Sequence, residues 1–146
     1  MNEPEVMVEM LGGRERTPRT LAVVGLSDDP GKASYGVSAY MQAHGYRILP
    51  VNPGVASVLG EKSYASLSEL MSELGSESGE RPDVVNVFRL PKFIPAIVDE
   101  MLELGLKNLW VQMGIVNVAA AEKAEAGGIH VVMDRCIMVE YRRSRV

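Results

Sequence analysis

The feature that most constrains this chain is a short apolar run that breaks at a glycine and leads into a helical pattern. Thr20 to Gly36 reads TLAVVGLSDDPGKASYG. The run over Leu21 to Val24 predicts a buried strand, and Gly25 with the polar residues after it predicts a loop. Such a loop and the helix that follows present backbone N–H groups and a positive dipole end to the same point. We therefore expect an anionic ligand of nucleotide type over this loop.

Two familiar phosphate-binding motifs come close to this loop, and neither is met. The dinucleotide fingerprint G-x-G-x-x-G requires glycine at 25, 27 and 30, where the chain has Gly25, Ser27 and Pro30. The chain has one residue too many between its glycines for the ATP-type loop, and Ala33 occupies the position of the residue whose hydroxyl binds magnesium in that loop. The loop thus predicts phosphate binding without NTPase chemistry. An ordinary strand-to-helix turn without a ligand is the alternative that the loop alone leaves open.

Composition narrows the class of protein. The 146 residues fit a single domain over 1–146, with 47% hydrophobic and 23% charged residues, as in a globular chain. The net charge of −4 argues against a nucleic-acid partner, so an anion has to be met by local Lys or Arg. The single cysteine, Cys136, excludes an internal disulfide, and with His44 and His130 it forms no metal-ligand pattern. The N-terminus has no apolar signal core and no run approaches a membrane span, so we expect a cytoplasmic protein without a membrane partner.

Strand and helix patterns alternate along the chain. Strands are predicted to start near 20, 46, 83, 108 and 129, with Leu21 to Val24 central. Ser34, Ser66 and Asn117 are predicted to cap the helices that follow them. Short apolar strands between amphipathic helices predict an α/β fold, a Rossmann-like five-stranded parallel sheet in the order 3-2-1-4-5 with helices on both faces. The strand ends at Gly25 and Gly114 then flank the predicted crevice, at the switch point between strands 1 and 4.

Six segments, taken together, resemble a known family. They are VVGLSDDPGKASYGV (23–37), ILPVNPG (48–54), LGEKSYASL (59–67), DVVNVFR (83–89), LWVQMGIVN (109–117) and MDRCIMVE (133–140). In these segments the chain resembles small stand-alone CoA-binding domain proteins, which are similar to the N-terminal domain of the succinyl-CoA synthetase alpha subunit. The resemblance covers nearly the whole chain. It implies a Rossmann-like fold that binds CoA across the carboxyl ends of its strands.

The resemblance also implies a set of CoA-binding residues, matched position by position. The phosphate and ribose end of CoA is implied to lie against Gly25, Ser27, Lys32, Ser34, Tyr35 and Gly36. The adenine is implied to be flanked by Val51, Asn52 and Pro53. The third strand ends in Phe88 and Arg89, where an arginine suits a phosphate. The pantetheine arm and its thiol are implied to border Trp110 to Gly114, including Gln112 and Met113.

Two departures from the family pattern limit what the resemblance implies about catalysis. Family members often end the last segment in Glu-His, where this chain has Glu140-Tyr141. The histidine that is phosphorylated in the synthetase belongs to a second domain, which we do not expect in this chain. The pattern therefore predicts a binding protein for CoA or an acyl-CoA, without a catalytic residue or a metal of its own.

Two functions of other classes stay open at this point. One is a regulatory module that binds another nucleotide, and the other is an NAD(P)-dependent oxidoreductase. The broken fingerprint argues against the second, as does Val51-Asn52-Pro53 where an Asp or Glu usually binds the ribose hydroxyls. A homodimer or a protein partner, the acyl group that is bound, and a reaction between Cys136 and the CoA thiol also stay open.

Overall fold

Five parallel strands form the sheet. In the computed structural model, which describes residues 1–77 and 79–144, these strands are β1 (Thr20–Val24), β2 (Arg47–Val51), β3 (Val84–Val87), β4 (Asn108–Val111) and β5 (His130–Met133). Each strand begins within one residue of its predicted start. The order across the sheet is β2-β1-β3-β4-β5. β1 is therefore an interior strand, hydrogen-bonded on both sides, and β3 is the middle one.

The α/β class is confirmed, and the predicted strand order 3-2-1-4-5 is wrong. β3 pairs with β1, with Ala22 opposite Val85, so β2 lies at the edge of the sheet. β2 contains Pro50, which has no N–H to donate to a second neighbour and is therefore suited to an edge strand. Right-handed crossovers allow both orders, so handedness could not separate them. The switch point lies between β1 and β3, and Phe88 rather than Gly114 faces Gly25 across it.

Helices cover both faces of the sheet, as predicted. One face packs against α1 (Pro4–Met10), α2 (Ala33–Ala43) and α6 (Ile137–Ser144). The other face packs against α3 (Leu67–Glu77), α4 (Ile94–Leu104) and α5 (Val118–Ala126). A single 3₁₀ turn, Pro91–Phe93, leads into α4, and a short hairpin that pairs Ser57–Val58 with Glu61–Lys62 follows β2. No helix within the described ranges is long and apolar enough to cross a membrane.

Two of the three predicted helix caps are confirmed. The side chains of Asn117 and Ser66 accept hydrogen bonds from backbone amides at the starts of α5 and α3. Ser34 does not cap α2, because the helix already begins at Ala33. Its hydroxyl instead accepts from the backbone N–H of Ser27 at 3.0 Å, so it is used to shape the loop in front of the helix.

Candidate functional site

The loops after β1 and β3 meet at Gly25. The backbone N–H of Gly25 donates to Val51 O, and that of Phe88 donates to Val24 O, both at 2.8 Å. Gly25 has a φ of +89°, and a Cβ at this position would lie 2.6 Å from Phe88 O and 3.0 Å from Arg89 Cδ. Only glycine therefore allows the chain after β1 to pass so close to the end of β3.

The loop between Gly25 and α2 is held by its own hydrogen bonds. The N–H of Ser27 donates to the hydroxyl of Ser34, and the N–H of Asp29 donates to the hydroxyl of Ser27, both at 3.0 Å. Asp29 Oδ1 accepts from the N–H of Gly31 at 2.9 Å. The two predicted serines thus shape the loop. Asp28 and Asp29 are exposed and do not fill the space above the strand.

The start of α2 is the part of this loop that can meet an anion. Lys32 precedes the helix and is exposed, and α2 has no acidic residue in its first turn and no side-chain cap. The amides of Tyr35 and Gly36 donate to Lys32 O at 3.1 and 3.2 Å. The amides of Ala33 and Ser34 precede the first amide that donates within the helix, so they point out of the helix end. A phosphate at this end meets the helix dipole and the Lys32 ammonium together.

Tyr35 and Gly36 lie on α2 behind this end. The ring of Tyr35 is half-buried and packs on the apolar layer between α2 and the sheet. Gly36 is exposed, and no atom lies within 4 Å of the position of a Cβ. Neither Tyr35 nor Gly36 lines the cavity beside Phe88 or the cavity beside Arg89.

A cavity of about 180 Å³ lies on the α3–α4 face, beside the ends of β1 and β2. We call it the α3–α4 cavity. The predicted residues Val51, Pro53 and Arg89 line it, together with Phe93 and Glu100, which belong to no motif in the sequence. The only sequence signal for Phe93 is an aromatic residue shortly after the third strand. The walls of the α3–α4 cavity are largely apolar, as expected of a site that binds a planar base.

Asn52 ties the loop after β2 to the loop after β1. Its Nδ2 donates to Leu26 O at 3.0 Å, and its Oδ1 accepts from the N–H of Gly54 at 2.9 Å. Its backbone N–H donates to Tyr64 O at 2.8 Å. Both ends of the side-chain amide are therefore engaged within the protein, and Asn52 positions the neighbouring Pro53 at the cavity wall.

A second cavity, of about 280 Å³, lies on the opposite face of the sheet, between the starts of α2 and α6. We call it the α2–α6 cavity. The predicted site residues Phe88, Gln112 and Met113 line it, and so does Cys136, which is only 8% exposed. Gln112 Oε1 accepts from the N–H of Ile137 at 3.1 Å and so fixes the start of α6. Since Phe88 and Arg89 are consecutive residues after β3, they reach cavities on opposite faces.

The two remaining predicted residues on this side of the sheet, Trp110 and Gly114, bond to the loop after β5 and do not line the cavity. Trp110 is fully buried, and its indole N–H donates to Arg135 O at 2.9 Å. Gly114 has a φ of +88°, and its N–H donates to Asp134 Oδ1 at 2.7 Å. Trp110 is therefore a core residue that holds the loop after β5, and Gly114 is fixed to the same loop.

Two polar side chains are buried between β3 and α2. Asn86 and Ser38 are each 1% exposed. Within the described part of the chain, neither the side-chain amide of Asn86 nor the hydroxyl of Ser38 has a hydrogen-bond partner. Asn86 lies on the same side of the sheet as Phe88, which follows two residues later, just after the end of β3. Neither side chain therefore contributes a hydrogen bond that attaches α2 to the sheet.

Comparison with known proteins gives matches over most of the chain. The family model described as a CoA binding domain matches residues 19–142. YneT of Bacillus subtilis, itself described as uncharacterized, is 40% identical over 123 residues, which are 84% of this chain and 85% of that protein. A solved structure, cell-free ID.343 from Thermus thermophilus, is 33% identical, has a TM-score of 0.79 and is covered over 98% of both chains.

A longer relative shares the same segment. The alpha subunit of the ADP-forming acetate–CoA ligase II of Pyrococcus furiosus is 30% identical over 111 residues. These residues are 75% of this chain and 22% of the ligase subunit. The matched segment therefore corresponds to a minor part of that subunit.

Proposed function

Since this chain belongs to the CoA-binding domain family, we propose that it binds coenzyme A or an acyl-CoA at the carboxyl edge of its sheet. The observation that carries the proposal is the arrangement around Gly25, where the exposed start of α2, preceded by Lys32, borders the α2–α6 cavity and the α3–α4 cavity lies on the other face of the sheet. CoA has a matching order of parts, because its diphosphate joins a compact nucleoside to an extended pantetheine arm.

The two cavities suit the two ends of this ligand. The α3–α4 cavity is lined by Val51, Pro53 and Phe93, and we place the adenine there. The α2–α6 cavity is lined by Phe88 and Met113, and we place the thiol end of the pantetheine arm there. The diphosphate then lies across Gly25 at the start of α2, where the helix dipole favours it.

The side chains around the cavities support binding rather than catalysis by this chain. Glu100, the acid that lines the α3–α4 cavity, accepts hydrogen bonds from the N–H and the hydroxyl of Ser68 at 3.0 and 2.7 Å. Oε2 of this carboxylate is therefore used to hold the start of α3. Catalysis by the ligase relative is a property of that longer protein, and we do not extend it to this chain.

Native mass spectrometry of the protein purified without added ligand tests the proposal. We expect a fraction that carries one molecule with the mass of CoA or an acyl-CoA, because a ligand held in two cavities and at a helix end dissociates slowly. Denaturation should release that mass. A bound dinucleotide of a different mass would contradict the proposal and favour another nucleotide.

A further prediction concerns Cys136, which lines the α2–α6 cavity. If the CoA thiol enters this cavity, the Cys136 thiolate should attack CoA disulfide, form a protein–CoA mixed disulfide and release one CoA thiol. We expect a mass gain of one CoA less two hydrogens, faster than the corresponding reaction with glutathione disulfide. Cys136→Ser should show no adduct, and a reductant should reverse the reaction. The absence of an adduct on the folded wild type would refute this placement of the thiol.

A further inference from the structure

Two cations flank one aromatic ring in the wall of the α3–α4 cavity. The Phe93 ring lines the cavity and is 37% exposed. The guanidinium carbon of Arg89 lies 4.1 Å from the ring centroid, and the ammonium nitrogen of Lys92 lies 5.2 Å from it. Cation–π attraction favours both side chains near the ring. Two positive charges are thus concentrated beside a cavity whose walls are otherwise mostly apolar.

These two charges have no acidic partner among the described side chains, those of residues 1–75 and 79–144. None of the ion pairs within 4.0 Å in those ranges involves Arg89 or Lys92. Glu100 lines the same cavity, but its Oε2 accepts from Ser68 and it forms no ion pair within 4.0 Å with either cation. The chain has an excess of acidic residues, 19 against 15 basic ones, so acidic partners are not scarce. A pair of cations left without carboxylates at a cavity is suited to an anionic ligand.

The position of Lys92 is also unfavourable for the helix that follows. Lys92 lies in the Pro91–Phe93 turn that leads directly into α4. The first turn of α4 contains no acidic residue. A positive charge near a helix N-terminus opposes the helix dipole, and an acidic residue is the usual choice there. Helix stability therefore does not account for a lysine at this position, whereas a bound anion does.

We infer that Lys92, together with Arg89, binds the 3′-phosphate of CoA and so selects CoA over nucleotides that lack this group. The inference rests on the proposed function. With the adenine in the α3–α4 cavity, the ribose that carries the 3′-phosphate lies at the same cavity, and the diphosphate continues toward Lys32. Arg89 offers a planar fork of donors and Lys92 a mobile point charge, and a phosphate monoester can accept from both.

Calorimetric titration with CoA and with dephospho-CoA tests the inference. Lys92→Gln should weaken CoA binding by about 5- to 20-fold and change dephospho-CoA binding by less than about 2-fold. Lys92→Arg should retain most of the preference for CoA, since it keeps the charge. Lys107→Gln is the matched control, because Lys107 is exposed and directly precedes β4, at the amino ends of the strands and therefore away from the site. It should leave both affinities unchanged.

The outcomes separate this inference from the proposed function. If the wild type binds CoA but Lys92→Gln weakens neither ligand, or weakens both equally, the inference is overturned and CoA binding stands. Equal affinity of the wild type for CoA and dephospho-CoA overturns it in the same way. If the wild type binds neither ligand, the proposed function fails, and the inference fails with it.

Discussion

Replacing Lys32 or Arg89 with alanine is expected to weaken CoA binding by about 10- to 100-fold in each case. Lys32 precedes the start of α2, and Arg89 lies against Gly25 and lines the α3–α4 cavity. The protein carries a net charge of −4, so long-range attraction does not supply the positive charge that a phosphate needs. Calorimetric titration of both variants with CoA measures the loss, and Lys107→Ala is the control for removing a positive charge elsewhere.

The two variants should differ with dephospho-CoA. Lys32→Ala should weaken CoA and dephospho-CoA to the same extent, because Lys32 is assigned to the diphosphate. Arg89→Ala should weaken CoA more than dephospho-CoA, because Arg89 is assigned to the 3′-phosphate. Stability without ligand should change little in Lys32→Ala, since this side chain is exposed. Unchanged CoA affinity in both variants would show that neither the diphosphate nor the 3′-phosphate binds at its assigned residue.

Gly25→Ala is expected to lower the free energy of unfolding by about 2–4 kcal/mol. The added methyl group would lie 2.6 Å from the backbone oxygen of Phe88, and a φ of +89° is itself strained for alanine. The obstructing atom belongs to the backbone at the end of β3, so a side-chain rotation cannot relieve the contact. Urea denaturation, with the same m-value in both proteins, measures the loss.

Gly36→Ala is the matched control for this effect. Gly36 lies within α2, and no atom is found within 4 Å of the position of its Cβ. Alanine is favoured over glycine inside a helix, so this variant should gain up to about 1 kcal/mol. If Gly25→Ala unfolds at the same urea concentration as the wild type, the loops after β1 and β3 do not meet as described.

The strands could be predicted from the sequence because their signals are local. Each strand is a short apolar run, and glycines that follow β1 and precede β5 mark where these strands end and begin. The pairing of those strands depends on which face each connecting helix covers, and both predicted and observed orders satisfy the handedness rule. Pro50 was the available signal, because a proline inside a strand favours an edge position.

Some residues of the candidate site could likewise be predicted from local sequence signals, and others could not. Gly25 and Arg89 could be identified because a glycine break and an arginine follow directly after strands. Lys92 and Phe93 could not be identified in this way. Their role depends on the position of Phe93 at the α3–α4 cavity, which is also lined by Val51 and Pro53 from a distant part of the chain. The residue type of Ser34 predicts a helix cap, whereas the observed start of α2 shows that its hydroxyl accepts from the preceding loop.

The central claim is that the site at Gly25 is built for CoA, and a parallel calorimetric titration of the wild type with CoA and with NAD tests it most directly. We expect saturable binding of one CoA per chain and much weaker binding of NAD, because the loop lacks the dinucleotide fingerprint and no acidic residue directly follows β2 to hold ribose hydroxyls. Tighter binding of NAD than of CoA, or no binding of CoA to the folded protein, would contradict it.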